Sequence, residues 1–354
     1  MARGSNKKSP SKFLKDIDGV FWIETKKNYY FSTMKKLILK RLLQIIPLLI
    51  GMSFVSFIII QSSPGDYFAQ MKMNPEISPS TIEQMRTSFG LDKPIMIQYL
   101  MWLKNMCKLD FGISFAYHIP VKTLIKFRIK NTLCLAVFSI FLSWLIAIPI
   151  AVIAGYKEGS WFDKFFSLLA YISISLPSFF VALLFVYFIS KTAVLPLGGT
   201  RSIFDINAGS FEIFKDYLKH LLVPGIVLCF VNIGGLFRLM KNNFVEIFNT
   251  PYILAAWARG VPARSIIFKH TLRNALNPMF TILGMEIGSI LNGAALTEII
   301  CGWPGMGSLI LEAVLSHDLY LVMGSLIISG FLLIVGNLIG DILLAFFDPR
   351  IRIS

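Results

Sequence analysis

The sequence predicts an all-α polytopic membrane protein with six transmembrane helices. Three observations lead there. Apolar residues make up 55% of the 354 residues and charged ones only 15%, whereas a soluble domain carries about a quarter charged residues because something must face water. The mean hydropathy is +0.67, more apolar surface than a water-soluble fold of this length can hide. The charges also cluster between long uncharged stretches, each near the roughly 20 residues that cross a hydrocarbon layer.

Those stretches come in order. Span one is Leu42–Gln61, span two Thr132–Ala154, span three Phe165–Ile189 and span four Leu221–Phe237, closed by Arg238. Span five, about Met279–Ile300, is apolar except for Glu286 and Glu298; span six is Leu319–Gly340, with a continuation toward Phe347. An even number of spans places both termini on one side. Lys and Arg in short flanking loops mark the cytoplasmic side. Lys35, Lys36, Lys40 and Arg41 precede span one, Lys157 and Lys164 lie in the 155–164 loop, and Arg238 to Arg273 add six more between spans four and five. Both termini are therefore expected inside. Lys122, Lys126, Arg128 and Lys130 are an exception, but they belong to a loop of about 70 residues, beyond the reach of the charge rule.

The chain then divides into a basic cytoplasmic extension (1–33), span one (34–61), an extracytoplasmic loop subdomain (62–131), a five-helix core (132–347) and a cytoplasmic tail (348–354). The apolar core behind the basic extension starts too late and runs too long for a signal peptide, so span one reads as an uncleaved anchor. Phe13–Trp22 reads as a short interfacial helix. The net charge of +14 would suggest nucleic acid in a soluble chain; here it sits beside apolar spans, where it meets anionic headgroups, so membrane lipid is the expected partner and nucleic acid is not. The four cysteines and four histidines are scattered without metal-ligand or disulfide spacing. No phosphate-loop motif GxxxxGK[ST] and no HExxH or GxSxG cluster occurs, so neither ATP hydrolysis nor a hydrolase is expected of this chain, nor any cofactor bound by it.

The stretch between spans four and five, 241–278, carries the strongest pattern. The stretch from Tyr252 reads as a helix ending at Gly260, which can take the left-handed conformation of a helix terminus. Pro262 suits the first turn of a second helix, along which Phe268, Leu272 and Ala275 share one face while Arg264, Lys269 and Arg273 lie elsewhere. Two short helices joined by a bend make either a knob for a groove in a partner or a basic helix pair lying on headgroups.

This segment resembles the EAA loop of ABC-importer permeases, with Ala255, Ala256 and Gly260 matching Glu-Ala-Ala and its following Gly; Leu254 stands where the motif has Glu. The run through Arg264, His270, Arg273, Asn274, Ala275 and Pro278 is similar to the dipeptide/oligopeptide/nickel permease family. The likeness extends from about residue 34 to the C-terminus: Lys40-Arg41-Leu42, Pro64-Gly65-Asp66, Phe89 to Pro94, Gln98-Tyr99, Asp110-Phe111-Gly112, Leu296-Thr297-Glu298, Trp303 to Gly307 and Asp348 to Arg352. The resemblance implies a type I importer permease fold, and a heteromeric importer for short peptides. A second homologous permease would share the path. Two cytoplasmic ATPases, using ATP and Mg, would dock on Ala255, Ala256, Gly260, Pro262, Arg264, Lys269 and Arg273. An extracytoplasmic substrate-binding protein would deliver the cargo to a prokaryotic inner membrane. Nickel complexes or peptide antibiotics fit the same machinery, and an ion-coupled secondary transporter is the rival of another class.

Three further features remain. Glu286, Asn292 and Glu298 could line a polar translocation path, where a carboxylate attracts a peptide's amino group, or could make structural hydrogen bonds. Gly284/Gly288 and Gly336/Gly340 are GxxxG patterns that let helices approach closely. Cys301 to Gly307 breaks any helix and reads either as a plain turn or as a segment dipping back before span six. The 62–131 loop, with Ile95, Ile97, Tyr99, Leu100, Trp102 and Leu103, is expected to hold one or two short helices that dock the binding protein or cover the helix ends.

Overall fold

The computed structural model describes residues 43–62, 67–68, 78–202, 209–280, 282–283, 286 and 294–347. The expected features within 1–33 and 348–354, Asn292 and the Gly284/Gly288 pair lie outside the described residues. Among the described residues the chain is helical, with one isolated β-bridge between Ile113 and Pro120.

Four helices are long and apolar enough to cross a membrane: α1 (Leu43–Ser62), α4 (Val121–Tyr156), α7 (Ser210–Phe248) and α13 (Leu319–Phe347). Between α1 and α4, the long loop carries α2 (Pro79–Ser88) and α3 (Ile95–Met106). Span three is not one straight helix. It divides into α5 (Trp161–Ser175) and α6 (Ser178–Thr192), bent by 106°. Pro177 causes the break: its ring drives the preceding residue out of the helical region, and Leu176 is extended at ψ 129. Spans two and four are longer than hydropathy marks. The 36-residue α4 begins at Val121, and the 39-residue α7 continues through Arg238 to Phe248. Arg238 does not close the helix, and its guanidinium lies over the Tyr171 ring, 5.1 Å from the centroid. Span five is described at Met279, Phe280, Ile282, Leu283, Glu286 and the short α11 (Ala295–Ile300). After it come α12 (Met306–Leu315) and α13.

The organising contact is the packing of α4 along α7, with α5 and α6 on another side of α7. Small residues make this possible. A Cβ on Gly234 would lie 2.4 Å from the Ala170 carbonyl oxygen, and one on Gly225 would lie 2.4 Å from the Phe138 ring; such close approach is the main source of helix association where lipid is as apolar as a side chain. Ser173 Oγ donates to the Phe230 carbonyl across the same crossing.

Two ends can be told apart. At the end where α1 stops and α13 starts, the long loop packs Phe68, Phe115, Tyr99 and Trp102 against Phe57, Leu319 and Met323. Asp318 ties this loop down. Its carboxylate accepts from Ser114 Oγ at 2.5 Å, Ala116 N–H at 3.0 Å and Leu321 N–H at 3.1 Å, holding the 111–121 turn on the first turn of α13. At the opposite end Ala147, Ala151 and Ala154 of α4 meet Phe237, Met240 and Phe244 of α7. Asp163, Lys241 and Ser167 clamp α5 to α7 there, with the Gly159 N–H also on Asp163 at 3.0 Å.

Candidate functional site: the exposed knob and the two glutamates

The 249–278 segment folds as a two-armed knob at the Phe248 end of α7. The first arm, α8 (Pro251–Ala258), starts after Thr250, whose hydroxyl turns back to the Ile247 carbonyl at 2.6 Å, and has proline in its first turn. It ends as the sequence predicts. Gly260 takes φ +77, and Gly260 and Val261 N–H groups bond back to Trp257 and Ala256 carbonyls at 2.9 and 3.2 Å. Pro262 is the residue before the second arm rather than inside its first turn.

That arm is α9 (Ala263–Ser265), a π-helical stretch (Ile266–Leu272) and α10 (Arg273–Ala275). The π stretch changes the predicted face, since a wider turn shifts every later residue around the axis. Ile266, Thr271 and Ala275 are buried, while Phe268, which a regular helix would place on one face with Ala275, is 58% exposed. Ile253, Ala256 and Ile266 join the arms in a small core. Asn274 Nδ2 bridges them by donating to the Tyr252 hydroxyl at 2.9 Å and the His270 carbonyl at 2.8 Å. Ala255, Gly260, Pro262, Arg264, Lys269 and Arg273 are all exposed on this knob and Ala256 is buried beneath them. Leu254, at 58% exposure, and Trp257 stand among these cations. Sequence reading noticed Leu254 only as a missing Glu; exposure shows it and Phe268 as apolar projections on a basic surface. The knob is anchored inward, because Ala275 and Met279 belong to the core that α4 and α7 share.

The two glutamates of span five do not meet. Glu286 accepts from Trp144 Nε1 at 2.9 Å, whereas Glu298 accepts from Thr132 Oγ1 at 2.6 Å. Both donors lie on α4, separated by about 18 Å of helix. Glu298 is 0% exposed. Its other oxygen takes the Gly307 and Ser308 N–H groups at 2.8 and 3.3 Å, so it satisfies donors that the start of α12 leaves without intrahelical partners. Thr132 completes the join, its oxygen accepting from Met306 N–H at 2.8 Å.

The glycines of the 301–307 turn follow from this. A Cβ on Gly305 would lie 2.0 Å from Glu298 Oε1, and one on Gly307 would lie 2.3 Å from the Ala295 Cα. Trp303 is buried with its indole N–H on the Asn131 carbonyl at 3.3 Å, so the turn is packed into the helix ends rather than hanging free. Nearby, Arg128 pairs with Glu312 at 2.9 Å, and the Tyr117 hydroxyl donates to the same carboxylate at 2.6 Å. That bond, with partial burial and the Glu312 charge, raises the Tyr117 hydroxyl above its ordinary 10.0, against a smaller opposing pull from Arg128. The pairing gives Arg128, one of the cations that broke the charge rule, a local partner.

Comparison with known proteins agrees with this architecture. Residues 147–353 match the family model described as the binding-protein-dependent transport system inner membrane component, and residues 34–136 match that of the N-terminal part of such membrane components. The oligopeptide transport system permease protein AppB of Bacillus subtilis is 37% identical over 90% of this chain and 100% of its own length. The dipeptide transport system permease protein DppB of Alkalihalophilus pseudofirmus is 31% identical over 89% of this chain and 98% of its own. The chain is a multi-pass membrane protein and belongs to the family of binding-protein-dependent transport system inner membrane components.

Proposed function

We infer that the chain is the permease subunit of an ATP-driven importer of short peptides, oriented with both termini in the cytoplasm. The observation that carries this is the knob: an exposed, basic and partly apolar surface whose inner face is continuous with the shared core of α4 and α7. Such a surface suits a groove in a separate ATPase. Leu254, Trp257 and Phe268 supply apolar anchors, and Arg264, Lys269 and Arg273 supply complementary charge. The peptide substrate is supported by the oligopeptide and dipeptide permeases that the chain matches nearly end to end. A second homologous permease, two ATPases that use ATP and Mg, and a substrate-binding protein complete the machine, with alternating access as its cycle.

Of the path residues, Glu286 keeps the substrate-facing role. It is only partly buried and its carboxylate is oriented by Trp144, as suits a group meeting a peptide's ammonium. Glu298 is engaged on every side by backbone and Thr132, which supports a positioning role.

The test is reconstitution of the full complex in proteoliposomes with a labelled peptide and the binding protein. Uptake should need ATP and survive an uncoupler. Uptake that persists without ATP and collapses with the uncoupler would identify an ion-coupled carrier instead. Within that system Phe268→Asp and Arg264→Glu should each release the ATPases while leaving the permease inserted; full ATPase assembly in both would remove the docking assignment.

A further inference from the structure

The helix α3 packs alongside α1, short of its Ser62 end. Its Tyr99 hydroxyl lies 3.0 Å from Ser53 Oγ and donates to the Ile50 carbonyl at 3.3 Å. Ser53 is about 13 Å inside the Ser62 end of α1, near the middle of a helix that just spans the hydrocarbon. Gln98 meets Gln61 at 2.8 Å, so α3 crosses α1 below its end. On α13 the same cluster reaches down to Ile327.

The residues of α3 read IMIQYLMWLKNM, apolar on all sides except for Gln98, Lys104 and Asn105. One face, Tyr99 and Trp102, is covered by the chain's own aromatic cluster. The opposite face is not: Met96, Ile97, Leu100 and Met101 are 42% to 58% exposed. A helix apolar all round needs an apolar medium on every side. On α1, Val55, Ile58 and Ile59 are exposed as well. Exposed Lys93 precedes the helix and exposed Lys104 and Lys108 lie at its far end, where long stems let ammonium groups reach anionic headgroups.

We propose that α3 is an interfacial helix sunk into the leaflet at the Ser62 end of α1, with Met96, Ile97, Leu100 and Met101 covered by lipid acyl chains. This leaflet is the outer one in the orientation inferred above. The inference does not depend on what the permease carries. It also narrows docking of the binding protein to the α2 and 107–120 parts of the loop, since the α3 face is occupied.

The test uses the full-length chain, assembled with its partners in lipid nanodiscs and carrying Cys107→Ser to remove the exposed thiol. Nitroxide labels are placed one at a time at Ile97→Cys, Leu100→Cys and, as the aqueous reference on α2, Glu83→Cys. Collisions with oxygen should exceed those with a water-soluble nickel chelate several-fold at 97 and 100, and the order should reverse at 83. Because 97 and 100 point out of the fold, the labels leave the buried cluster intact, and an unchanged unfolding temperature checks this. Chelate-dominated collisions at 97 and 100 would place the face in water and overturn the proposal. Shielding from both reagents would also overturn it, by showing that another protein surface covers the helix.

Discussion

Glu298 shows how a carboxylate inside a membrane protein can be structural. One oxygen satisfies two backbone donors at the start of α12 and the other the hydroxyl of Thr132, so replacing either oxygen strands the donors it serves. Glu298→Gln keeps the volume but turns an amide N–H₂ toward donors. It should destabilise the permease by about 1–3 kcal/mol, the penalty for buried groups left unpaired, read as a lower unfolding temperature in nanodiscs with transport falling only as far as folded protein does. Unchanged stability with lost peptide uptake would return Glu298 to the translocation path. Tyr117 gives a second prediction, with the sign set by its raised hydroxyl. A group held above its unfolded value contributes stability fully below that value and loses it as pH rises through the folded one. Tyr117→Phe should therefore lower stability by at most about 1 kcal/mol near neutral pH, a difference that disappears on titrating above the ordinary value of 10.0. A pH-independent difference would show that the hydroxyl bond is not its source.

At the scale of elements, the knob at 249–278 was the most legible part of the chain. Its glycine and proline mark a stop and a start that depend on local backbone chemistry alone, and Gly260 does adopt the left-handed region at φ +77. Gly260→Ala should weaken ATPase binding, because a left-handed alanine costs roughly 1 kcal/mol and the arms would reset their angle. Affinity equal to the parent in a pull-down titration would show that the angle is not what the ATPase reads. The outward turn of Phe268 was not legible: a π-helical stretch carries no reliable sequence mark and shifts the face of everything after it. The break in span three was legible in Pro177 but masked by counting uncharged residues, which measures length and not direction. The depth of α3 was hidden for another reason. It depends on Tyr99 finding Ser53, a contact across 46 positions of sequence that no local pattern encodes.

For the whole molecule, crossing the membrane several times followed from composition, because the bilayer imposes a long uncharged run on each helix. Where each glutamate of span five is held did not, since that depends on where α4 places Trp144 and Thr132. The same scale sets a final expectation: reconstituted without its partners, the chain should neither hydrolyse ATP nor accumulate peptide, and adding the second permease, the ATPases and the binding protein should restore both together. Uptake by the chain alone would refute the division of labour. One more consequence comes from the length of α7. Its 39 residues make a rod of about 58 Å, nearly twice the roughly 30 Å of hydrocarbon it crosses. The tight crossing at Gly234, where α5 leaves no room for a side chain, is a natural fulcrum. A push of about 4 Å at the knob end would pivot the rod by roughly 10° over the 14 residues from Gly234 to Phe248, and the far arm must then swing the opposite way. A seesaw of this kind opens one mouth of a passage as it shuts the other, with no signal needing to travel between them.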